Sequence, residues 1–460
     1  MSNVEGPGRR ARPGPGRLTL GFLSFLWPGL GHAALRRRQA ALILAVPTLI
    51  VVFAWLALYA TRGGTGFAIS LLSPSFAWAL MASFVVIGIW RLVAVADAAR
   101  QGASPGPERR RLTDVGLGAI VIAIIAPHAI GAYVAWGAYD TWSAVYEPAR
   151  ITSADSSSAS AAGLAPGQSP VPSLGPVETP SASGRFTVVI TGIDSSATRH
   201  HSLNDTLIVA SIDPTTGKAA MVSFPRDLAG FQLYDGGSYP ERINSLMGWS
   251  DRNPGRYPDG GLPTVARELG YLLGIPVPYY ASVDLQGFSR MIDAIGGVTV
   301  DNPKQIDDPN YGGWTDKRPV GFHLTAGTHT LDGQTALAYV RSRKGVGDND
   351  FTRARRQQQL LIALGKKLSD PAMFTRLPAV LDAAKQTIRT NVPPDLLPTL
   401  VTLGQSVQDH RIQGFVLGPP YAQRITNSSA YLLALDDDRI HRLSVSLFGA
   451  DSRFATAAGG

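Results

Sequence analysis

Three long uncharged stretches limit what this chain can fold into more than any other feature of its sequence. They cover residues 40–60, 66–90 and 115–139. A bilayer core is about 30 Å thick, and about 20 helical residues are needed to cross it. Inside hydrocarbon, only helices and closed barrels satisfy their own backbone hydrogen bonds. We therefore predict three transmembrane helices, which make residues 40–139 a membrane module.

A fourth apolar stretch, residues 18–35, is interrupted by a Trp-Pro-Gly-Leu-Gly-His run at residues 27–32. Proline and glycine in mid-span weaken a helix unless neighbouring groups satisfy the freed backbone. Arg17 precedes the stretch and three arginines, residues 36–38, follow it, so both flanks are basic. This pattern predicts a re-entrant or interfacial hairpin within a basic cytoplasmic segment, residues 1–39, rather than a fourth crossing.

The positive charge of the chain lies mostly beside the predicted spans. The formal net charge is +8, and residues 1–150, with 14 arginines and six acidic residues, carry a difference of +8. From residue 185 onward the difference is only +2. Arginine and lysine concentrate at the cytoplasmic ends of membrane helices. We therefore predict a multi-pass protein with a cytoplasmic N-terminus and an extracytoplasmic C-terminal domain, and no nucleic-acid partner.

Composition narrows the chemistry of that domain. The chain has no cysteine, which excludes disulfides, thiolate nucleophiles and cysteine-ligated metals. Residues 140–184 are rich in serine, alanine and proline, so they are expected to form a flexible-to-extended spacer. The folded domain is predicted over residues 185–445, with a tail at 446–460.

Beyond the spacer, strand-like and helix-like patterns alternate. Buried strands are predicted from β-branched apolar runs at 186–190, 206–212 and 219–224. The short turn between the last two predicts an antiparallel hairpin. Helices are predicted at 264–273, 288–295 and 351–368. Residues 335–341 fit either a strand or a helix. The mixture predicts an α/β domain, a layered α/β/α arrangement with a mixed sheet.

Two acidic residues stand at the ends of neighbouring predicted strands. Asp194 follows the first strand and Asp205 precedes the second. Adjacent strands would bring both carboxylates to one sheet edge, where they would suit a hard divalent cation such as Mg²⁺ that also contacts phosphate oxygens. The alternative is that Asp194 caps a turn and Asp205 is an ordinary acid at a strand edge.

A charged pair, Arg226 and Asp227, follows a proline at the exit of the third predicted strand. The guanidinium of Arg226 has the fork geometry that matches phosphate oxygens. The alternative is a simple ion pair at a turn.

The densest group of arginines lies at residues 339–359. Arg341 and Arg343 share a face if the backbone there is extended. Arg353 and Gln357 lie one turn apart on the helix that follows. Together they predict an anion-binding site. The alternative is a solvated charged helix face, which is the expectation for Arg355 and Arg356.

The order and spacing of these segments resemble the LytR–CpsA–Psr family of bacterial cell-wall enzymes over residues 186–367. The motifs that carry the resemblance are Gly192-Ile-Asp194, Asn204-Asp-Thr206, Ser223-Phe-Pro-Arg-Asp227, Ala338-Tyr-Val-Arg-Ser-Arg343, Asp350-Phe-Thr-Arg353 and Arg356-Gln-Gln358.

The resemblance implies a phosphotransferase of the bacterial cell membrane. It would take an anionic glycopolymer from a polyprenyl-pyrophosphate carrier and join it to peptidoglycan through a phosphodiester. Mg²⁺, or alternatively Mn²⁺, would bind Asp194 and Asp205. The pyrophosphate would be bound by Arg242, Arg341, Arg343, Arg353 and Gln357. The residues implied in catalysis are Asp205, Arg226, Asp227, Arg353 and Gln357, with Asp205 or Asp227 accepting the hydroxyl proton. The lipid would need an apolar tunnel, for which residues 269–273 and 288–295 are candidates.

The chain departs from the family at two positions. Leu203 and Gly230 stand where the family commonly has arginine. Two phosphate contacts would then either be missing or be supplied by Arg199, Arg290 or Lys344. Two other functions therefore stay open at this point: a non-catalytic scaffold or regulator of the cell envelope that binds polyprenyl-pyrophosphate lipids, and a pyrophosphatase that transfers to water.

Overall fold

The computed structural model describes residues 15–147 except 72, 184–194, 203–312, and 320–455 with short gaps at 369 and between 394 and 411. The predicted spacer therefore lies outside the described residues apart from its two ends. The chain divides into two compact units, Met1–Asp140 and Thr141–Gly460.

The first unit is helical. Its helices are α1 Arg17–Leu26, α2 Leu30–Ala34, α3 Arg38–Ser70, α4 Pro74–Arg100 and α5 Arg110–Val145. Three segments are long and apolar enough to cross a membrane, judged by length and composition: Arg38–Gly63, Pro74–Arg100 and Pro107–Val145. The ten residues of α1 extend only about 15 Å, less than a bilayer core.

The position of the second span corrects the sequence prediction of residues 66–90. The helix of the first span is broken at Gly63, whose φ of 68° lies in the left-handed region. The second span begins at Pro74, with Ser73 extended before it. Proline disfavours a helical conformation in the preceding residue and suits the first position of a helix. Residues 66–71 and Ser73 therefore precede the second candidate span, which continues to Arg100.

The second unit is a mixed α/β domain. Its strands are β1 Phe186–Asp194, β2 Leu203–Ile212, β3 Ala219–Ser223, β4 Phe231–Gln232, β5 Ser238–Tyr239, β6 Tyr279–Asp284, β7 Val298–Asn302, β8 Ile306–Asp308, β9 Phe322–Leu324, β10 Gly327–Leu331, β11 Ile388–Thr390, β12 Gln413–Val416, β13 Ala422–Arg424 and β14 Leu433–Leu435. Its helices are α6 Leu246–Asp251, α7 Gly261–Leu273, α8 Leu285–Ala294, α9 Gly333–Arg341, α10 Asp350–Leu368, α11 Leu377–Thr387 and α12 Asp437–Phe448.

The main sheet has six strands in the order β11-β6-β1-β2-β3-β12. Strands β1, β2 and β3 run antiparallel in sequence, which confirms the predicted hairpin. The pairs β1/β6 and β3/β12 are parallel, so the sheet is mixed, as predicted.

Helices cover both faces of this sheet. On one face, Val189, Val209 and Val222 pack into a core formed with α6, α7 and α12. On the other face, Leu285 of α8 packs over Gly192, since a Cβ at Gly192 would lie at ordinary contact distance, 3.5 Å, from Cδ2 of Leu285. Helix α10 lies on that second face, where Gln358 donates to Oγ of Ser223 at 2.8 Å. The predicted α/β/α layering is confirmed.

The predicted tail at 446–460 begins inside α12 and stays packed as far as it is described. The ring of Phe454 stacks on His441 with centroids 3.7 Å apart. The backbone N–H of Arg453 donates to the carbonyl of Gly274 at 2.8 Å. The folded domain therefore extends to residue 455, and residues 456–460 lie outside the described residues.

A buried acid on α7 makes the stability of this domain depend on pH. Glu268 is fully buried, and its Oε2 accepts a hydrogen bond from the backbone N–H of Tyr234 at 3.1 Å. Burial raises the pKa of Glu268 from 4.5 to about 8. The native state therefore binds the proton more tightly than the unfolded chain, and stability is lost as the pH rises from 4.5 to about 8.

Glu268→Gln is expected to remove this loss, because glutamine keeps an acceptor for Tyr234 but does not ionise. The melting temperature of the variant should therefore exceed that of the parent by several degrees at about pH 9 and by much less at about pH 5. Thermal unfolding between about pH 5 and pH 9 measures the effect. Replacing the exposed Glu241 by glutamine is the control. If the two variants show the same pH slope, Glu268 is not the group responsible.

Candidate active site

Segments far apart in the sequence converge on one cavity of about 130 Å³ in the α/β domain. Its lining comes from β2, the exit of β3, the start of α8, the end of α9 and α10. The lining residues are Asp205, Thr206, Arg226, Leu285, Val340, Arg341, Arg343, Arg353 and Gln357. Six of the nine site residues predicted from the sequence are among them.

A β-bulge sets the position of Asp205. In the β1–β2 ladder, Gly192 pairs with Thr206 and Ile193 pairs with Asn204, so Asp205 is an extra residue without a partner. A bulge of this kind bends the strand and re-aims a side chain. The Asp205 carboxylate lines the cavity, and its Oδ1 accepts a hydrogen bond from Nη1 of Arg226 at 3.0 Å.

Arg226 enters the cavity from the exit of β3, as the Pro-Arg-Asp sequence predicted. Its neighbour Asp227 is 8% exposed and does not line the cavity. Instead, Asp227 pairs with Nε of Arg242 at 3.0 Å and with Nε of Arg226 at 3.8 Å. Burial raises the pKa of Asp227, and the charges of Arg226 and Arg242 oppose that rise. Arg242 does not line the cavity either. Asp227 and Arg242 are therefore connected to the cavity through the ion pair of Asp227 with Arg226.

Arg341 and Arg343 are brought together at the cavity, although the extended segment that was predicted to align them is not formed. Residues 333–341 are helical, so Arg341 is the last residue of α9, and the chain leaves the helix at Ser342 with ψ 138°. The buried Asp308 holds the loop that follows. Its Oδ2 accepts from Oγ of Ser342 at 2.8 Å and from the backbone N–H of Arg343 at 3.2 Å. This anchor places Arg343 beside Arg341 at the cavity.

Arg353 is the most buried cation of the cavity, with 7% of its surface exposed. Burial lowers the pKa of its guanidinium, which nevertheless stays protonated because the ordinary value is far above neutral. Its Nη2 lies 3.0 Å from Oδ1 of Asp350. The same oxygen lies 3.7 Å from Arg226 and 3.6 Å from Arg343. Asp350 is therefore the shared counter-ion of three arginines.

Asp350 was missed as a site residue by the sequence reasoning. Its spacing of three residues from Arg353 on a predicted helix is typical of an ion pair, and would have been the signal for it. Asp308 left no comparable signal, because its partners, the hydroxyl of Ser342 and two backbone N–H groups, lie about 35 residues away in the sequence.

The two arginines expected to face solvent behave differently. Arg355 is exposed, as predicted. The prediction is wrong for Arg356, which is 7% exposed. Its Nη1 donates to both carboxylate oxygens of Asp348 at 3.0 Å, and its Nη2 donates to the carbonyl of Ser342. Arg356 therefore fastens α10 to the loop that carries Arg343.

Three consecutive glutamines on α10 face three different surroundings. Gln357 lines the cavity and donates to the carbonyl of Val340 at 3.3 Å. Gln358 reaches the main sheet, and Gln359 accepts from the hydroxyl of Tyr339 at 2.7 Å. The three contacts fix the rotation of α10, which in turn directs Arg353 and Gln357 into the cavity.

The metal prediction involves two carboxylates, of which one is described. The backbone of Asp194 ends β1 opposite Leu203, but its side chain lies outside the described residues. Within the described part of the chain, no group of three or more histidine, aspartate or glutamate side chains is arranged to hold a metal ion.

Arg199, Arg290 and Lys344 were considered as replacements for the arginines missing at Leu203 and Gly230, and the structure describes two of the three. Arg290 and Lys344 are exposed and do not line the cavity, and Arg199 lies outside the described residues. Gly230 has φ +69° and open space around the position of a Cβ. Arg341 and Arg343 are the lining cations beyond Arg226 and Arg353.

The candidate tunnel residues are largely core residues. Leu269 and Leu273 are fully buried in the core beneath one sheet face. Ile292 and Ile295 are fully buried in the core on the other. Leu285 at the start of α8 is the apolar residue from this region that reaches the cavity.

Four arginines and one carboxylate line the cavity, and Asp350 lies behind three of those arginines. The positive charge exceeds the negative, so the site favours an anionic ligand with several oxygens. The class of protein defined by this fold and site combines a mixed α/β domain that contains an arginine-rich anion cavity with a helical unit that has three candidate membrane spans.

Comparison with known proteins agrees with this description. The model of the LytR_cpsA_psr family matches residues 151–448. The chain therefore belongs to the LytR–CpsA–Psr family, as its motifs predicted.

The chain is similar to two curated relatives over part of their length. It is 31% identical over 216 residues to the polyisoprenyl-teichoic acid–peptidoglycan teichoic acid transferase TagU of Halalkalibacterium halodurans, a match that covers 47% of this chain and 64% of that protein. It is 28% identical over 248 residues to TagV of Bacillus subtilis, which covers 54% and 58%. Among solved structures, B. subtilis TagV gives a TM-score of 0.45 at 26% identity, over 57% of this chain and 95% of that one.

Proposed function

We propose that this protein transfers an anionic glycopolymer from a polyprenyl-pyrophosphate carrier to peptidoglycan and forms a phosphodiester link in cell-wall assembly. The observation that carries the proposal is the convergence of four arginines, Gln357 and Asp205 on one cavity. Membership of the family supports it, as do the names of the relatives, which are transferases of teichoic acid to peptidoglycan.

The proposed transfer reaction makes use of the positive charges of the cavity. A sugar hydroxyl of peptidoglycan attacks the phosphorus that bears the glycopolymer. The new P–O bond forms as the bond to the bridging oxygen breaks, and polyprenyl phosphate leaves. Phosphoryl transfer depends mostly on positioning and on neutralising charge. Arg226, Arg341, Arg343 and Arg353 hold the pyrophosphate oxygens, and Gln357 adds an amide donor.

Asp205, together with Asp194, would hold Mg²⁺ or Mn²⁺ against the pyrophosphate. Oδ1 of Asp205 is bonded to Arg226, whereas its Oδ2 has no hydrogen-bond partner among the described residues. That oxygen fits a hard cation, since Mg²⁺ usually takes one or two carboxylates plus phosphate oxygens. A bound ion would neutralise the charge that develops on the departing polyprenyl phosphate.

The positions of the two carboxylates considered for the hydroxyl proton support a choice between them. Asp205 lines the cavity, whereas Asp227 is buried behind Arg226 and Arg242. Asp205 is therefore the carboxylate that we assign to the proton, and Asp227 is assigned to positioning the two arginines.

The test is transfer by the full-length protein in detergent, with a polyprenyl-pyrophosphate glycan, Mg²⁺ and a peptidoglycan oligomer. Asp205→Asn is expected to lower the rate of product formation at least about a hundredfold, because loss of a catalytic proton acceptor alone costs about 10²–10⁴. Removing Mg²⁺ with a chelator should affect the parent strongly and the variant little. Asp438→Asn, at an exposed position, is the control.

The outcomes separate the alternatives. Tight binding of the lipid with neither covalent product nor released phosphate would favour the scaffold and exclude both enzymes. Release of the glycan phosphate without a peptidoglycan product would favour the pyrophosphatase.

We further propose that the protein crosses the bacterial membrane three times, with the N-terminus in the cytoplasm. The arginines at residues 36–38 and 109–111 support this orientation, because both groups would then lie on the cytoplasmic side. A reporter active only outside the cytoplasm, fused after Gly184, should be active. Activity of a reporter that works only in the cytoplasm would reverse the topology.

A further inference from the structure

The helical unit contains a second and larger cavity, of about 510 Å³, which lies between α3 and α4. This volume lies within the range of small-molecule sites, roughly 300–1,000 Å³. Residues at helical spacing line it from both helices: Val52, Trp55 and Tyr59 from α3, and Leu80, Phe84 and Ile87 from α4. The lining is apolar and aromatic over a length of about 16 Å along α4, from Leu80 to Arg91.

A cation stands at one end of this apolar cavity. Arg91 lies about 13 Å inside α4, measured from the end of the helix at Arg100. Its Nη2 donates to the carbonyl of Phe25 at 2.6 Å. Its Nε is buried with no hydrogen-bond partner, and no carboxylate among the described residues forms an ion pair with Arg91. An arginine within a membrane span is costly, and it typically marks a ligand or ion site.

His128 of α5 lines the same cavity. Its Nδ1 lies 2.7 Å from the carbonyl of Ile124, and that nitrogen must carry the proton because a carbonyl only accepts. Nε2 is therefore left to accept a hydrogen bond from a hydroxyl group of a ligand. The ring packs closely on α4, since a Cβ at Gly88 would lie 3.2 Å from it.

We propose that this cavity binds polyprenyl phosphate, with the isoprenoid chain between α3 and α4 and the phosphate at Arg91 and His128. The arginine fork matches phosphate oxygens, and its charge lacks a carboxylate partner among the described residues. A single channel between two helix faces suits one chain better than the two chains of a phospholipid. The choice of this lipid rests on the proposed function, because the transfer reaction would release it into the same membrane. In the proposed topology Arg91 lies nearer the cytoplasmic end of α4, so the site would hold the spent carrier on its return to that side.

The test uses the full-length protein in lipid nanodiscs and a polyprenyl phosphate with a photoreactive group in its chain. Labelled peptides are mapped by mass spectrometry. Labelling is expected in α3 and α4, and Arg91→Gln should reduce it about tenfold. Arg100→Gln, an exposed arginine of the same helix, should leave it unchanged. Arg91→Lys, which keeps the charge, should retain part of the labelling and so exclude simple unfolding.

Other results would overturn the proposal. These are equal labelling by an uncharged polyprenol probe, equal competition by phosphatidylglycerol, or labelling that does not respond to Arg91→Gln. Arg353→Ala separates this proposal from the proposed function. It should stop transfer and leave labelling of α3 and α4 intact, so either result can fail without the other.

Discussion

Replacing Arg353 by alanine is expected to lower the rate of glycopolymer transfer about a thousandfold. Arg353 is the most buried cation of the cavity and faces the pyrophosphate in the proposed reaction. Arginines that neutralise charge in phosphoryl transfer contribute about 10³–10⁵ to the rate. The lower end is appropriate here, because Arg226, Arg341 and Arg343 remain at the cavity. Steady-state transfer at saturating Mg²⁺ measures the loss.

Two further variants show whether the loss of activity comes from the missing guanidinium group and not from unfolding. Arg355→Ala, two residues along the same helix and exposed, should transfer at the rate of the parent. Arg353→Lys keeps a charge near Asp350 but lacks the planar fork, so it should remain folded and still lose most of the activity. Near-normal transfer by Arg353→Ala would remove Arg353 from the mechanism.

Replacing Arg356 by alanine is expected to cost the α/β domain about 3–5 kcal/mol of stability. Both partners of its ion pair are shielded from water, with side-chain exposures of 9% for Arg356 and 12% for Asp348. The variant leaves Asp348 without its partner and frees the carbonyl of Ser342. Denaturant unfolding, followed by the fluorescence of tryptophans in the α/β domain, measures the change.

A double-mutant cycle checks the cause of that loss. Asp348→Ala alone should also be strongly destabilising, and the double variant should cost clearly less than the sum of the two single changes. Arg355→Ala should change the stability by less than about 0.5 kcal/mol, as is usual for an exposed position. Strict additivity would show that the ion pair does not contribute.

Arg353 and Arg356 show which side-chain surroundings can be predicted from the sequence and which cannot. The helical period places Arg353 and Gln357 on one face, and the structure agrees. The same period cannot show that the loop before α10 folds back over the helix. That return brings Asp348 to Arg356 and converts a predicted solvent-facing residue into a buried one.

The fold was more predictable than the site, because it depends on repeated local patterns. Long apolar stretches predicted three membrane helices, and β-branched runs predicted the β2–β3 hairpin. Where a single residue decides a boundary, the hydropathy pattern was insufficient. Pro74 starts the second candidate span, although residues 66–73 before it are also uncharged and mostly apolar.

At the site, the sequence predicted most of the charged groups but not their supports. Asp308 acts through backbone N–H groups of a distant loop, and such contacts leave no sequence pattern. The bulge at Asp205 arises from the pairing of two strands, so it too is absent from the residue types. Asp350 was available from its spacing to Arg353, but its contacts with Arg226 and Arg343 depend on tertiary structure.

The bulge has a consequence for how this protein tolerates insertions and deletions. Successive side chains of β2 alternate between the two faces of the sheet, and the bulged residue Asp205 does not take part in that alternation. The residues of β2 beyond Thr206 therefore keep their faces independently of Asp205. Core substitutions in that strand can therefore accumulate without rotating the carboxylate. A one-residue deletion between Leu203 and Thr206 would instead restore a regular ladder and remove the offset. The number of residues between Leu203 and Thr206 is therefore expected to matter more for the position of the Asp205 carboxylate than the identity of the neighbouring core residues.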